Sequence, residues 1–231
     1  MEQSEFDKFA DEYAATMQAA SLLSNQDITY FLRYKVAALA EIGLSAPADR
    51  PLRILDFGAG VGASVPYFRE LFADAAIACV DVSARSLSIG RSEFGAEAGF
   101  VRFDGARLPF ASQCCDAVFA ACVLHHIDHA RHKNVFEEIR RVLAPGGVFM
   151  VFEHNPANPL TRKVVRDCPF DENAVLVRPG ALRRDLREAG FTSKLDYRLF
   201  FPHGIRALRP MERWMRWLPL GAQYSVIATA G

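Results

Sequence analysis

Residues 54–62 read Ile-Leu-Asp-Phe-Gly-Ala-Gly-Val-Gly, and this stretch decides the fold. Its first four residues predict a short buried strand, and the glycines predict a tight turn that leads into a helix. Glycines let a ligand approach the backbone closely, and a helix N-terminus offers unpaired amides. The turn is therefore a candidate ligand-binding loop, although Gly58, Gly60 and Ala63 also satisfy a relaxed dinucleotide-binding pattern.

Strands and helices alternate on both sides of this turn. Continuous Val/Ile/Phe-rich runs predict strands buried on both faces, which is typical of a parallel sheet. The predicted strands are 53–57, 76–82, 100–103, 116–124, 148–152, 195–201 and 223–228, and the predicted helices are 63–72, 84–94, 133–143 and 179–189. We expect an α/β fold with a doubly wound, Rossmann-like, seven-stranded sheet, mostly parallel with a C-terminal antiparallel strand, and ligands at the strand C-termini.

The composition describes an ordinary globular protein. The chain has 231 residues, 51% hydrophobic and 23% charged, which excludes disordered and fibrous classes. Lys+Arg and Asp+Glu both total 27, so nucleic-acid coating is not expected. The charge is unevenly distributed along the chain. Residues 1–157 hold 14 basic and 20 acidic side chains, whereas residues 158–231 hold 13 basic and 7 acidic ones. The spacing of the five cysteines is not typical of a disulfide framework, and the N-terminus is acidic. Both features predict a cytoplasmic protein with reduced thiols.

Asp56 distinguishes two kinds of ligand for the glycine turn. It lies two residues before Gly58, where the pyrophosphate of a dinucleotide would approach and a carboxylate would repel it. A ligand that carries an ammonium and a sulfonium suits this position instead. Residues 50–155 resemble a class I S-adenosylmethionine-dependent methyltransferase of the small-molecule type. The motifs that carry the resemblance are ILDFGAGVG (54–62), VDVS (80–83), FDG (103–105), DAVFAACVLHHI (116–127) and LAPGG (143–147).

The resemblance implies a site for S-adenosylmethionine. Asp81 would accept hydrogen bonds from both ribose hydroxyls, because one carboxylate supplies two acceptors. Asp104 would accept from the exocyclic amine of adenine. The implied cofactor-binding residues are Asp56, Gly58, Ala59, Gly60, Asp81, Val82, Asp104, Gly105 and Cys122.

Candidate catalytic residues follow the fourth and fifth predicted strands. Histidine titrates near neutral pH, so His126 or His154 could act as general base, with Glu153 orienting a partner or the substrate. In the alternative interpretation, His125 packs against the cofactor or a helix and His126 caps the next helix. A metal centre built from His125, His126 and Glu153 has no ligand-spacing signature, so no metal is expected.

Two other segments are candidates for the substrate side. The N-terminal helix resembles a lid, with Tyr13 near the acceptor, although an ordinary packing helix fits equally well. Residues 156–178 follow the fifth strand and are expected to cover the acceptor. Their Arg162 and Arg166 would suit an anionic acceptor, whereas a solvated basic face is the alternative.

A basic and aromatic stretch lies near the C-terminus. Arginines recur at helical spacing around Trp214 and Trp217, a pattern also found in interfacial membrane helices. Pro210 interrupts the stretch, so membrane contact is not favoured. We expect a short helix whose apolar side packs on the sheet or on a second subunit.

The sequence therefore predicts a single methyltransferase domain over residues 1–231. It divides into an N-terminal helical cap (1–45), a cofactor-binding core (50–155), an acceptor-covering insert (156–178) and a C-terminal helix with a strand hairpin (179–231). The expected reaction is O-methylation of a small molecule in a saccharide or secondary-metabolite pathway. N- or C-methylation, an NAD-dependent oxidoreductase and a non-catalytic cofactor-binding protein stay open, as do a monomer and a homodimer.

Overall fold

Seven strands form one sheet in the part of the chain that the structure describes. The computed structural model describes residues 7, 26–168, 171–201 and 203–230. The strands are β1 (Arg53–Phe57), β2 (Ala76–Asp81), β3 (Gly99–Arg102), β4 (Cys115–Ala121), β5 (Leu143–His154), β6 (Phe191–Arg198) and β7 (Gln223–Ala230).

The strand order is β3-β2-β1-β4-β5-β7-β6. Neighbours among β1 to β5 are parallel, and β7 is antiparallel to both β5 and β6. The predicted mostly parallel sheet with a C-terminal antiparallel strand is confirmed. The direction of strand addition reverses between β1 and β4, which leaves a crevice beyond the C-terminal ends of these two strands.

Helices cover both faces of the sheet and create two apolar cores. One core packs Leu39 and Phe68 against Phe119 and Phe152 of the sheet, and the other contains Phe136 and its neighbours. Each such buried side chain contributes about 1.5–3 kcal/mol to folding. The helices are α1 (Gln26–Ala40), α2 (Val65–Leu71), α3 (Ala84–Phe94), α4 (His132–Val142), α5 (Pro159–Arg166), α6 (Pro179–Glu188) and α7 (Glu212–Met215).

Helix α5 lies in the insert 156–178, where none of the predicted helices was placed. The Asn158 side chain caps it by accepting from the amides of Leu160 (2.9 Å) and Thr161 (3.1 Å). Pro159 supplies the fixed φ favoured in a first helical turn. An eight-residue helix with so short an apolar stripe gives little periodic signal in the sequence.

The aromatic stretch near the C-terminus does not take the first of its two predicted positions, on the sheet, whereas packing on a second subunit stays a prediction. Trp214 and Trp217 are 62% and 76% exposed, so neither packs on the sheet. Glu212 is buried instead, and its Oε1 accepts from the amides of Phe200 and Phe201, both at 3.0 Å. The charged residue therefore anchors this segment and the indoles face outward.

The predicted N-terminal cap is represented by α1. Tyr13 lies outside the described residues. Across the described ranges, no helix combines the length and the apolar character needed to cross a membrane.

Asp116 joins the starts of β1 and β4 at the edge of the sheet opposite the crevice. Arg50 donates to its two carboxylate oxygens at 2.6 and 2.8 Å, and the Arg53 amide donates at 2.8 Å. Burial alone would raise the pKa of Asp116, but these donors lower it to about 2. A depressed folded-state pKa means that this clamp stabilises the fold above the unfolded pKa of about 3.9 and is lost as pH falls toward 2.

We expect Asp116→Asn to lower the free energy of unfolding at pH 7 by about 1–2 kcal/mol, because charge-assisted hydrogen bonds to a partly exposed arginine are lost. Urea denaturation at pH 7, 5 and 3 measures the difference, which should shrink as pH falls. Asp49→Asn, at an exposed neighbouring position, is the matched control and should change little. A difference that stays constant down to pH 2.5 would contradict the role of the ionised carboxylate.

Candidate active site

A cavity of about 470 Å³ lies at the strand-order reversal. It opens beyond the C-terminal ends of β1, β2, β4 and β5, where doubly wound sheets bind ligands. The glycine turn after β1 forms one side, and residues from the ends of β4 and β5 form the other. The cavity therefore joins the predicted cofactor residues and the predicted acceptor residues.

The glycine turn is held close to β2. The amides of Gly58 and Ala59 both donate to the Val80 carbonyl oxygen, at 2.8 and 3.1 Å. Gly58 has a φ of +71°, and a Cβ there would lie 2.5 Å from Cγ1 of Val123. Only glycine fits this backbone position, because both the conformation and the space exclude a side chain.

Asp81 ends β2 beside this turn. Its Oδ2 accepts from the Gly60 amide at 2.9 Å and its Oδ1 from the Ser83 amide at 2.8 Å. Each carboxylate oxygen keeps further acceptor capacity, so the pair can take two vicinal hydroxyls from within the cavity. The structure thus places Asp81 where the sequence resemblance predicts the ribose acceptor.

Asp56 lines the floor of the cavity and is only 3% exposed. Burial, together with repulsion from Asp81, raises the pKa of Asp56 to about 7. A cation in the cavity would favour the ionised carboxylate and lower this pKa again. The side chain is therefore suited to bind a positively charged ligand.

The predicted adenine side is more open. Asp104 and Gly105 line the cavity together with Val82, which confirms that they lie near one another. Oδ1 of Asp104 accepts from the amides of Ala106 and Arg107, at 2.8 and 2.9 Å, so part of its acceptor capacity shapes its own turn. Its second oxygen is the atom that could accept from a ligand.

Cys122 lies at the middle of the cavity wall with a φ of +61°. Lys35 donates to its sulfur at 3.2 Å, and Gln223 does so at 3.4 Å. Burial raises the pKa of the Cys122 thiol, but Lys35 and His154 outweigh this and lower it to about 6. Sequence analysis did not assign roles to Lys35 and Gln223; a lysine within the apolar face of a helix was the available signal.

Glu153 does not line the cavity, so its prediction as a catalytic residue is not supported by its position. It is fully buried at the end of β5, where Oε1 accepts from the amides of Val123 (3.0 Å) and Leu124 (2.7 Å). Its Oε2 lies 2.6 Å from Nδ1 of His125. Burial raises the pKa of Glu153 and His125 outweighs that effect, so the net pKa is lowered. Glu153 is a positioning residue for the loop after β4.

His126 and His154 both line the cavity, as their prediction requires. Nε2 of His126 lies 3.4 Å from Oδ1 of Asp171. Burial lowers the pKa of His154, but the Cys122 thiolate outweighs this and raises it. The predicted alternative for His126 as a helix cap is wrong, since Asp128 caps the next turn by accepting from the Ala130 amide at 2.9 Å.

Asp171 is the acceptor-side residue that sequence analysis missed. It lines the cavity, and Oδ1 lies 3.4 Å from Nε2 of both His125 and His126. The two histidines lower the pKa of Asp171 against the opposing effect of burial. Burial lowers the pKa of His125, whereas Glu153 and Asp171 raise it to about 10.

Arg162 and Arg166 do not line this cavity. They are exposed on α5 and line an adjacent depression, which shares Asp171 and Glu172 with the cavity. The predicted insert 156–178 therefore contributes Asp171 to the cavity, whereas its Arg162 and Arg166 line only the adjacent depression. Arg166 is paired with its neighbour Asp167 at 3.4 Å.

Comparison with known proteins agrees with this geometry. A family model described as a methyltransferase domain matches residues 55–151. Trans-aconitate 2-methyltransferase of Methylobacterium nodulans is 28% identical over 209 residues, covering 84% of this chain and 79% of that protein. Demethylmenaquinone methyltransferase of Mycobacterium sp. is 34% identical over 155 residues, covering 66% of this chain and 60% of that protein.

A solved structure with a similar fold is also a methyltransferase. A solved S-adenosylmethionine-dependent methyltransferase from Thermotoga maritima superposes with a TM-score of 0.69 and 19% identity, covering all of both chains. Several other curated methyltransferases are matched over about a quarter to a half of their length (27%, 46% and 49%). Residues 55–151 therefore resemble a methyltransferase domain, and the described fold is that of a solved S-adenosylmethionine-dependent methyltransferase.

Proposed function

We propose that the protein transfers the methyl group of S-adenosylmethionine to an oxygen atom of a small molecule. One observation carries the proposal: a single cavity holds the buried Asp56 and the partly buried Asp81 beside a glycine turn at one end, and three histidines with Asp171 at the other. The first end suits the cofactor, and the second suits an acceptor that must lose a proton.

The cofactor is proposed to lie along the ends of β1 and β2. Asp81 would accept from the ribose hydroxyls, and the adenine would lie toward Val82, Asp104 and Gly105. The buried Asp56 carboxylate would face the positive charges of the methionine portion. Cys122 lies at the cavity wall between this end and the histidines, close to where the methyl group would be presented.

Methyl transfer is an in-line displacement. With S-adenosylmethionine bound, the acceptor oxygen would form a bond to the methyl carbon as the carbon–sulfur bond breaks, and the electrons of the broken bond would stay on sulfur. The hydroxyl proton passes to His126, whose ring Asp171 orients from 3.4 Å. Much of the rate would come from holding the two reactants in line in a closed cavity.

Oxygen is favoured over nitrogen or carbon because of the proton acceptor. A neutral amine needs little help from a base, whereas a hydroxyl must lose its proton at or after attack. Relatives named as C-methyltransferases, such as the ubiquinone/menaquinone biosynthesis C-methyltransferase of Hahella chejuensis, keep C-methylation as the second candidate. Two other functions, that of an NAD-dependent oxidoreductase and that of a scaffold that only binds the cofactor, are distinguished from methyl transfer by ligand binding and by activity.

The acceptor class that fits best is a polyhydroxyl molecule with an anionic group, such as a phosphorylated or nucleotide-linked sugar. The reacting hydroxyl would enter at His126, and the anion would reach the depression lined by Arg162, Lys163 and Arg166. Asp171 and Glu172 lie on the boundary between the two spaces. The relative named for trans-aconitate also acts on a small anion, which supports the same charge preference.

The cofactor assignment predicts that S-adenosylhomocysteine binds in preference to NAD and NADP. Isothermal titration calorimetry measures all three ligands. Asp81→Ala should weaken S-adenosylhomocysteine by about 10- to 100-fold, because charge-assisted hydrogen bonds to the ribose are lost. Asp74→Ala, at an exposed carboxylate distant from the cavity, is the control. Preferential NAD binding, or unchanged affinity in Asp81→Ala, would contradict the assignment.

The raised pKa of Asp56 predicts that affinity for S-adenosylhomocysteine depends on pH. The free side chain is protonated below pH 7 and must ionise to bind the ligand ammonium, so affinity should fall as pH decreases, by more than tenfold between pH 7 and pH 5. Asp56→Asn should bind more weakly at pH 7 and lose most of this pH dependence. An equally steep decline in that variant would assign the effect to another group.

The acceptor assignment predicts activity with phosphorylated sugars or sugar nucleotides and not with neutral phenols. Formation of S-adenosylhomocysteine is measured for each. For an anionic acceptor, Arg162→Ala combined with Arg166→Ala should raise KM about tenfold and leave kcat unchanged, because only remote charge contacts are lost. Arg184→Ala with Arg187→Ala, exposed on α6, is the control. Equal KM values in both double variants would refute the anionic contact.

A further inference from the structure

Three potential metal-ligand side chains from different parts of the chain meet at the acceptor end of the cavity. Single donor atoms of His125, His154 and Asp171 all lie within 4.8 Å of one another. These residues follow β4, end β5 and lie in the segment after α5. All three line the cavity, so a bound ion would face its interior.

The distance between two of the three donor atoms suits a shared ion, and the third donor, on His154, lies within 4.8 Å of both and would approach them on binding. Nε2 of His125 and Oδ1 of Asp171 are 3.4 Å apart. Two ligands at about 2.1 Å from a tetrahedral metal are separated by about 3.4 Å. The pair therefore already has the spacing that a common ion imposes, without movement of the backbone.

The outer contacts of His125 also fit a metal ligand. Glu153 engages Nδ1 at 2.6 Å, and two backbone amides fix Glu153 in turn. Nε2 then lies on the side away from Glu153, where its nearest charged neighbour is Oδ1 of Asp171 at 3.4 Å; it makes no well-formed hydrogen bond among the described residues, although His125 is only 2% exposed. A carboxylate on one imidazole nitrogen and an open second nitrogen is the usual support for a metal-bound histidine.

We propose that His125, His154 and Asp171 bind one divalent transition-metal ion at the acceptor end of the cavity. Two histidines and one carboxylate on one side of an ion leave further positions open for water or substrate. The set weighed from the sequence was His125, His126 and Glu153; in the structure Glu153 contacts Nδ1 of His125 and supports that ligand without facing the ion. Asp171 completes the set.

The role of the ion rests on the proposed function. An acceptor hydroxyl coordinated at an open position would be oriented toward the methyl group, and the positive charge would make its proton easier to remove. His126, which shares Asp171 with His125, would then receive that proton. Metal binding itself does not depend on methyl transfer and can be measured alone.

The competing explanation is an ion-paired cluster without metal. In that case a protonated His125 bridges Glu153 and Asp171, and its Nε2 proton occupies the position assigned to the ion. The two explanations differ in whether the protein takes up a stoichiometric metal, which makes direct titration decisive.

The experiment uses the full chain, treated with chelator and kept reduced. Calorimetry with ZnCl2 should give one equivalent of binding, and CoCl2 should give a visible absorption band of a low-coordinate cobalt site. Asp171→Asn and His154→Gln should each weaken Zn²⁺ by at least tenfold. Asp167→Asn, an exposed carboxylate four residues earlier, is the matched control and should bind as the unaltered protein does.

Affinity for S-adenosylhomocysteine in every variant shows whether the cavity is still folded. Absence of stoichiometric zinc binding would overturn the inference, as would equal binding by Asp171→Asn and Asp167→Asn. An intense thiolate charge-transfer band in the cobalt form would also overturn it, because Cys122 would then be a ligand in place of an assigned residue. Methylation by metal-free protein defeats the inferred role and leaves the proposed function intact, whereas metal binding without methylation supports the metal site and contradicts the proposed function.

Discussion

The buried carboxylate of Glu153 is the interaction on which the acceptor end depends. Both oxygens are used, one by the amides after β4 and the other by His125. A buried charge is tolerated only with such complete pairing, and removing one partner of a buried pair typically costs about 3–5 kcal/mol. Glu153 therefore ties the exit of β4 to the end of β5 and sets the direction of the His125 ring.

The cofactor end has the opposite electrostatic character. Asp56 and Asp81 lie close enough for repulsion to raise the pKa of Asp56, and burial adds to this effect. A cationic ligand would relieve the repulsion, which favours its binding at this end. Binding of such a ligand should also stabilise the fold, since it interacts with the assembled cavity and not with the unfolded chain.

Acidic and basic side chains from the two differently charged parts of the sequence lie at different places around the cavity. Acidic Asp56, Asp81 and Asp104 lie around the cavity, whereas Arg162 and Arg166 lie on the depression beside it. Three of the thirteen basic side chains of residues 158–231 (Arg162, Lys163 and Arg166) therefore lie beside the cavity and not among the residues that line it. A cationic cofactor inside and an anionic group on the acceptor outside would each meet the complementary charge.

The sequence alone predicts the sheet, the glycine turn and the positions of Asp56 and Asp81, because strand periodicity and glycine stereochemistry act over a few residues. It also places His126 and His154 at neighbouring strand ends. Tertiary structure alone decides that Glu153 turns inward, that Trp214 and Trp217 face outward, and that Lys35 and Asp171 reach the cavity. These outcomes depend on contacts between residues distant along the chain, where packing and charge pairing leave no local periodic signal.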